Sequence, residues 1–156
     1  MHSRLFTLAA IVAGLAALAV GAPAFAGSNG SDEATACVFT TQLRAENEVP
    51  TSNSNAFGYS QIKVRNDGTI EYKTLIVNPE NETFVAGHIH LAPAGSPGPI
   101  VQSLFFPGPS SDSVIMDSGA VSNPALGEAI CADPSAYYVN YHTTAHPTGA
   151  VRGQLG

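Results

Sequence analysis

Beyond residue 36 the chain reads as short runs of alternating apolar and polar residues, separated by glycine, proline, asparagine or aspartate. A period of two puts successive side chains on opposite faces, the pattern of a half-buried strand. Residues 37–44 form the first run, and Phe57–Arg65 and Thr69–Val77 follow. In the second run Ile62 and Val64 share one face, while Gln61, Lys63 and Arg65 share the other. Asn66-Asp67-Gly68 joins the second and third runs. Asp-Gly between alternating runs predicts a hairpin, because glycine accepts the positive φ of a tight turn.

Further strands are predicted over residues 83–91, 100–106, 137–142 and 150–155, with a short one at 114–116. Residues 93–99 and 107–113 are rich in turn formers, and Pro147-Thr148-Gly149 makes a turn between the last two strands. Residues 124–130 fit a single helical stretch, with Asn123 as N-cap and Pro124 at the first helical position. About seven or eight short strands, with turns every ~8–12 residues, predict an all-β antiparallel sandwich or barrel. The sequence contains no internal repeat, no phosphate-binding glycine loop and no Gly-x-Ser-x-Gly elbow.

The first 26 residues follow a different pattern. His2 and Arg4 give a weakly basic start, residues 5–20 are an apolar run, and Ala24-Phe25-Ala26 is a small-x-small cleavage site. That order is the mark of a secretory signal peptide. The run is short for a membrane anchor of ~20 residues, so the mature chain, from Gly27 onward, is expected to have no membrane span. Residues 27–36 are expected to be a flexible tail and residues 37–156 one domain. Release from the cell and retention in a periplasm both fit.

Charge narrows the function classes. The chain carries twelve acidic against six basic residues, a net charge of −6. Such a surface repels phosphate backbones, which argues against nucleic-acid binding. The two cysteines, Cys37 and Cys131, read first as a disulfide in an exported chain, with two thiolate metal ligands as the alternative. No Ser-His-Asp set has a suggestive local context. Glu46 and Glu48 read as loop residues rather than a glycosidase pair.

All histidines beyond the leader lie in two segments, Gly87-His88-Ile89-His90 and residues 137–155. His88 and His90 are two apart on a predicted strand, so they leave one face about 6.5–7 Å apart. That spacing lets two imidazoles converge on one ion, and imidazole suits copper and zinc. His142 closes another strand and His146 lies in the turn after it. The metal-site candidates are therefore His88, His90, His142 and His146. Structural pairing is the alternative, with Asn47, Asn140 and Thr143 as partners by type.

The order of these fragments resembles a known family, the CHRD domain, a module named after chordin and found in secreted bacterial proteins. Residues 43–50, reading LRAENEVP, resemble its opening L-x-G-x-x-E-V-P, with Ala45 where glycine is usual. Gly58 and residues 66–72 resemble its early hairpin. His88-Ile89-His90, then Pro93-Ala94-Gly95 and Gly98-Pro99-Ile100-Val101, resemble its central segment. Residues 138–143 and 147–155, reading YVNYHT and PTGAVRGQL, resemble its close. The resemblance implies an all-β, antiparallel, Greek-key sandwich like that of immunoglobulin or superoxide dismutase domains. It implies a structural or binding role toward an extracellular protein or surface component.

A second, looser resemblance is to copper/zinc superoxide dismutase. It would make His88, His90 and His142 copper ligands and Arg152 the anion guide. No histidine lies between His90 and His142, so only a copper-only variant fits, with Asp112 or Asp117 as distant candidates for a further ligand. The alternative for Arg152 is a buried bridge to Glu46 or Glu48, tying the last strand to the first loop. Tyr138 and Tyr141 read as sheet-face or core aromatics, and Phe105 and Phe106 as core residues or an exposed apolar edge. No cofactor is fixed by the sequence; copper is the candidate.

Overall fold

The computed structural model describes residues 34–104 and 108–156. The leader, most of the expected tail, and the Phe105-Phe106 pair lie outside the described residues. Eight strands form: β1 (Thr35–Arg44), β2 (Phe57–Arg65), β3 (Thr69–Val77), β4 (Phe84–Leu91), β5 (Ile100–Leu104), β6 (Val114–Ser122), β7 (Tyr137–Thr143) and β8 (Val151–Gln154). One helix, α1 (Pro124–Ala132), sits between β6 and β7. Strands β2 and β3 have the predicted bounds. Strand β1 starts two residues earlier than expected, inside the supposed tail. Strand β6 runs to Ser122, well past its expected end at Met116, because its whole length pairs with β3.

All eight strands belong to one antiparallel sheet in the order β5-β4-β7-β8-β1-β2-β3-β6. The sheet curls into a nearly closed barrel or sandwich with two four-stranded halves. They meet where β1 pairs with β8 through a single residue pair, Arg44 with Arg152. Across the opposite seam, the Asn123 side chain just after β6 donates to Gln102 Oε1 on β5 at 3.0 Å. The links β3–β4, β5–β6 and β6–β7 pass from one half to the other.

Alternation decides which residues fill the interior. Leu43, Ile62, Ile70, Ile76, Ile89, Val139, Tyr141 and Val151 are fully buried and form one core. Asp67 Oδ1 accepts from Thr69 N–H at 2.8 Å, and Gly68 takes φ 78, so the β2–β3 hairpin closes as Asp-Gly dictates. Asn123 Oδ1 accepts from Leu126 N–H at 3.3 Å, capping α1. Strand β7 departs from simple alternation, since all seven of its residues are buried. Its outward side is covered by loops, and the histidines lie there.

Cys37 and Cys131 form a disulfide that ties the start of β1 to the end of α1, across 94 residues of chain. In the chain-entropy account, closing a loop of that length stabilises by about 4–5 kcal/mol. The double variant Cys37→Ser/Cys131→Ser should therefore lose about 4 kcal/mol in denaturant unfolding. A loss below about 1 kcal/mol would show that the reduced unfolded chain is already held compact.

Candidate metal centre

The site is built on the outer face of the β4–β7–β8 half. Register fixes who meets whom: His88 pairs with Asn140, His90 with Tyr138 and Ala86 with His142. On the far side of β7, Asn140 pairs with Arg152 and Tyr138 with Gln154. Ala86 is small, so the His142 ring is free to lean diagonally toward His88. Gly87 faces the other way, under Tyr141, where an added Cβ would lie 2.6 Å from the ring. The Gly-His-Ile-His sequence thus does two jobs. Glycine admits a core tyrosine on the inner face, and the two histidines share the outer one.

One ring nitrogen from each of His88, His90 and His142 lies within 4.8 Å of the other two. His90 Nδ1 donates to Gly98 O at 2.9 Å, and His142 Nδ1 donates to Pro147 O at 3.1 Å. A carbonyl oxygen can only accept, so both protons sit on Nδ1 and both Nε2 atoms keep a lone pair. His142 Nε2 is met by His88 Nδ1 at 2.9 Å. His90 Nε2 is buried without any hydrogen-bond partner. An orphaned buried acceptor costs roughly 1–3 kcal/mol, so His90 Nε2 carries a lone pair that the protein itself leaves unused.

The electrostatics keep the cluster neutral. Burial, then the charges of His142 and His90, push the His88 pKa from 6.5 down to about 4. Burial also lowers His90, with Arg152 adding to the effect and the Gly98 bond opposing it. His142 is lowered chiefly by burial as well, against the Pro147 bond. Three neutral imidazoles at neutral pH are the state that ligates a transition metal. Their Nδ1–carbonyl bonds are the usual means of fixing ligand tautomer and ring orientation.

Beside the histidines runs a stacked column. The Tyr138 ring packs against His90 at 4.7 Å and 13°, and the Arg152 guanidinium lies 3.5 Å from the Tyr138 ring centroid. Arg152 is almost fully buried; it donates to Ser96 O at 2.8 Å, and to Pro93 O and Gln154 Oε1, each at 3.0 Å. It forms no ion pair with Glu46 or Glu48 among the described residues, contrary to the bridge considered from sequence. Asn140 stands between: its Nδ2 donates to both Glu48 carboxylate oxygens at 2.9 Å. Glu46 instead pairs with Arg44 at the surface, at 3.5 Å. Both Nη groups of Arg152 donate to the β4–β5 loop or to Gln154, so the guanidinium is anchored in the fold.

The remaining candidates fall elsewhere. His146 is not brought to the cluster. Its Nδ1 meets Glu82 Oε2 at 2.9 Å and its Nε2 meets Asn53 Oδ1 at 2.7 Å. Glu82 also accepts from Ser54 and Thr143, at 2.5 and 2.9 Å, so it knots three loops together. Burial raises the Glu82 pKa, but its hydrogen bonds together outweigh that and lower it. Asp117 is buried and accepts from Tyr141 Oη at 3.0 Å, while Asp112 is exposed beside Ser110. Neither joins the cluster. The roles of Glu82 and Tyr138 were missed in the sequence. No local pattern marks Glu82, and Tyr138 reads there only as a sheet-face or core aromatic.

The CHRD domain model matches residues 39–155, a span that contains β2 to β8, most of β1 and the whole histidine cluster. The chain belongs to the CHRD-domain family. No curated protein and no solved structure matches it. The family and the disulfide fit a secreted protein. Among the described residues, no helix is long and apolar enough to cross a membrane.

A half-buried and a buried group of this CHRD domain titrate in overlapping windows with opposite sign. His88 is depressed from 6.5 to about 4, so it contributes stability above pH 6.5 that is lost as pH falls toward 4. Glu48 is raised from 4.5 to about 7, chiefly by burial, so its contribution is present below pH 4.5 and lost as pH rises through 7. Glu48→Gln removes the second effect and should make the acid-side loss of stability steeper. His88→Gln should flatten it. Metal-free thermal melts at pH 4, 5.5 and 7 separate the two, and unchanged pH profiles in both variants would contradict the assignment.

Proposed function

We propose that this CHRD domain is an exported metal-binding module that takes up one copper ion through His88, His90 and His142. One observation carries the reading. His90 Nε2 is buried, unprotonated and unpartnered, and a ring nitrogen of His90 lies within 4.8 Å of ring nitrogens of His88 and His142. Metal–nitrogen bonds of about 2.0–2.1 Å put tetrahedral donors about 3.3–3.4 Å apart, so modest side-chain movement brings the three to one centre. Ligation through His88 Nδ1 moves that ring's proton to Nε2, on the more exposed of the three rings. Copper binding and redox chemistry are what such an ion supplies; the protein fixes the tautomers, excludes most water and covers the site with the 93–99 and 144–149 loops. A dismutase activity is less well supported, because Arg152 is engaged in the stack and in carbonyl bonds.

A second reading is favoured by the His88–His142 hydrogen bond of 2.9 Å. In it the histidines only organise the loops, and the module binds an extracellular protein or surface component by another face.

Copper titration of the purified, oxidised protein beside His88→Ala/His90→Ala separates the two. The metal reading expects one equivalent bound per chain and at least a hundredfold weaker binding in the variant. Absence of specific uptake, with the variant merely less stable, would leave the histidines architectural.

A further inference from the structure

We infer, resting on the metal reading above, that the His88–His90–His142 site holds cuprous ion in preference to cupric ion. The donor set comes first. It consists of three neutral imidazoles, with no carboxylate or thiolate in the cluster among the described residues. The two cysteines are spent in the disulfide, Asp117 is turned to Tyr141, and Asp112 lies at the surface. A site without an anionic donor leaves the full ionic charge to be carried in a half-dry environment. A monocation costs less there than a dication.

Donor number points the same way. Cupric ion favours four donors in a square or tetragonal plane, and the protein supplies three. Two of those rings are locked by the Gly98 and Pro147 carbonyls and cannot swing into a plane. Closed-shell cuprous ion has no such demand and is satisfied by three nitrogens.

The third argument is the buried charge behind the site. Arg152 stacks on Tyr138, and Tyr138 stacks on His90, so a guanidinium stands one aromatic ring away from a ligand. Its field reaches His90, where it opposes a positive charge on the ring. A buried counter-charge, Glu48, is held by Asn140 on the strand position between His88 and Arg152. Arg152 and Glu48 thus act on the bound ion with opposite sign. At an effective dielectric of about 20, one unit charge at that remove changes the monocation-to-dication preference by roughly tenfold.

The test measures two affinities under chelator competition at pH 8, where Glu48 is ionised: cuprous ion anaerobically and cupric ion in air. The expected result is tighter cuprous binding. Arg152→Gln should narrow the cuprous-to-cupric ratio about tenfold and Glu48→Gln should widen it about tenfold, with circular dichroism confirming the fold of each. Should Arg152→Gln not fold, Glu48→Gln alone carries the test, since Gln keeps an acceptor for Asn140. Cupric binding as tight as cuprous, or tighter, overturns the preference while leaving the metal site standing. A ratio that neither variant moves overturns the role of the buried charges. No uptake of cuprous, cupric or zinc ion overturns the metal reading itself, and this inference with it.

Discussion

The carbonyl oxygens of Gly98 and Pro147 can only accept, and each accepts from the Nδ1 of a buried histidine. That constraint sets the tautomer of His90 and His142, and it leaves both Nε2 atoms with a lone pair in a cluster where ring nitrogens of His88, His90 and His142 lie within 4.8 Å of one another. Had either Nδ1 faced a group able to donate, the ring proton would be free to sit on the other nitrogen. The rest of the site follows. The 93–99 loop supplies Gly98, and it is held down by Arg152 through Pro93 and Ser96. The turn at 147–149 supplies Pro147, and glycine is needed at 149 because φ is 143 there and Glu48 and Asn140 leave no room for a Cβ. Loop, turn and last strand are therefore parts of one support for two imidazole protons.

This places the chemistry outside the core rather than in it. The inner face of β4 and β7 is apolar and closed over by Tyr141, whose ring occupies the space Gly87 leaves. The outer face carries His88, His90, His142, Tyr138 and Asn140, and is buried beneath loops. A polar layer of this kind persists only if its groups are satisfied. Nearly all of them are; among the described residues of this layer, His90 Nε2 and Asn140 Oδ1 are the buried side-chain atoms with no hydrogen-bond partner. The first lies in the cluster and the second on the strand position beside His88.

Strands and hairpins were legible in the sequence because period-two alternation and Asn-Asp-Gly act locally. The bounds of β2 and β3 follow from those signals alone. The length of β6 was not legible: Ser118 to Ser122 is small and polar, and it becomes strand only because β3 lies alongside. The histidine cluster was half legible. The two-residue spacing of His88 and His90 gives one face, and the approach of His142 needs the β4–β7 register, which no local pattern encodes. The separation of His146 from the cluster depends on Glu82, 64 positions away in the chain. Likewise the Arg152–Glu48 relation required knowing that Asn140 would stand between them.

Nitrogen NMR of the histidine side chains tests the account most directly, since it reads protonation at each ring nitrogen without assuming a metal. In the metal-free protein at pH 7, the account predicts that His90 and His142 are neutral, protonated at Nδ1 and unprotonated at Nε2, with their Nε2 signals displaced when one equivalent of cuprous ion is added. Mixed tautomers, or an imidazolium at either position, would contradict it, as would Nε2 signals that do not respond to the ion.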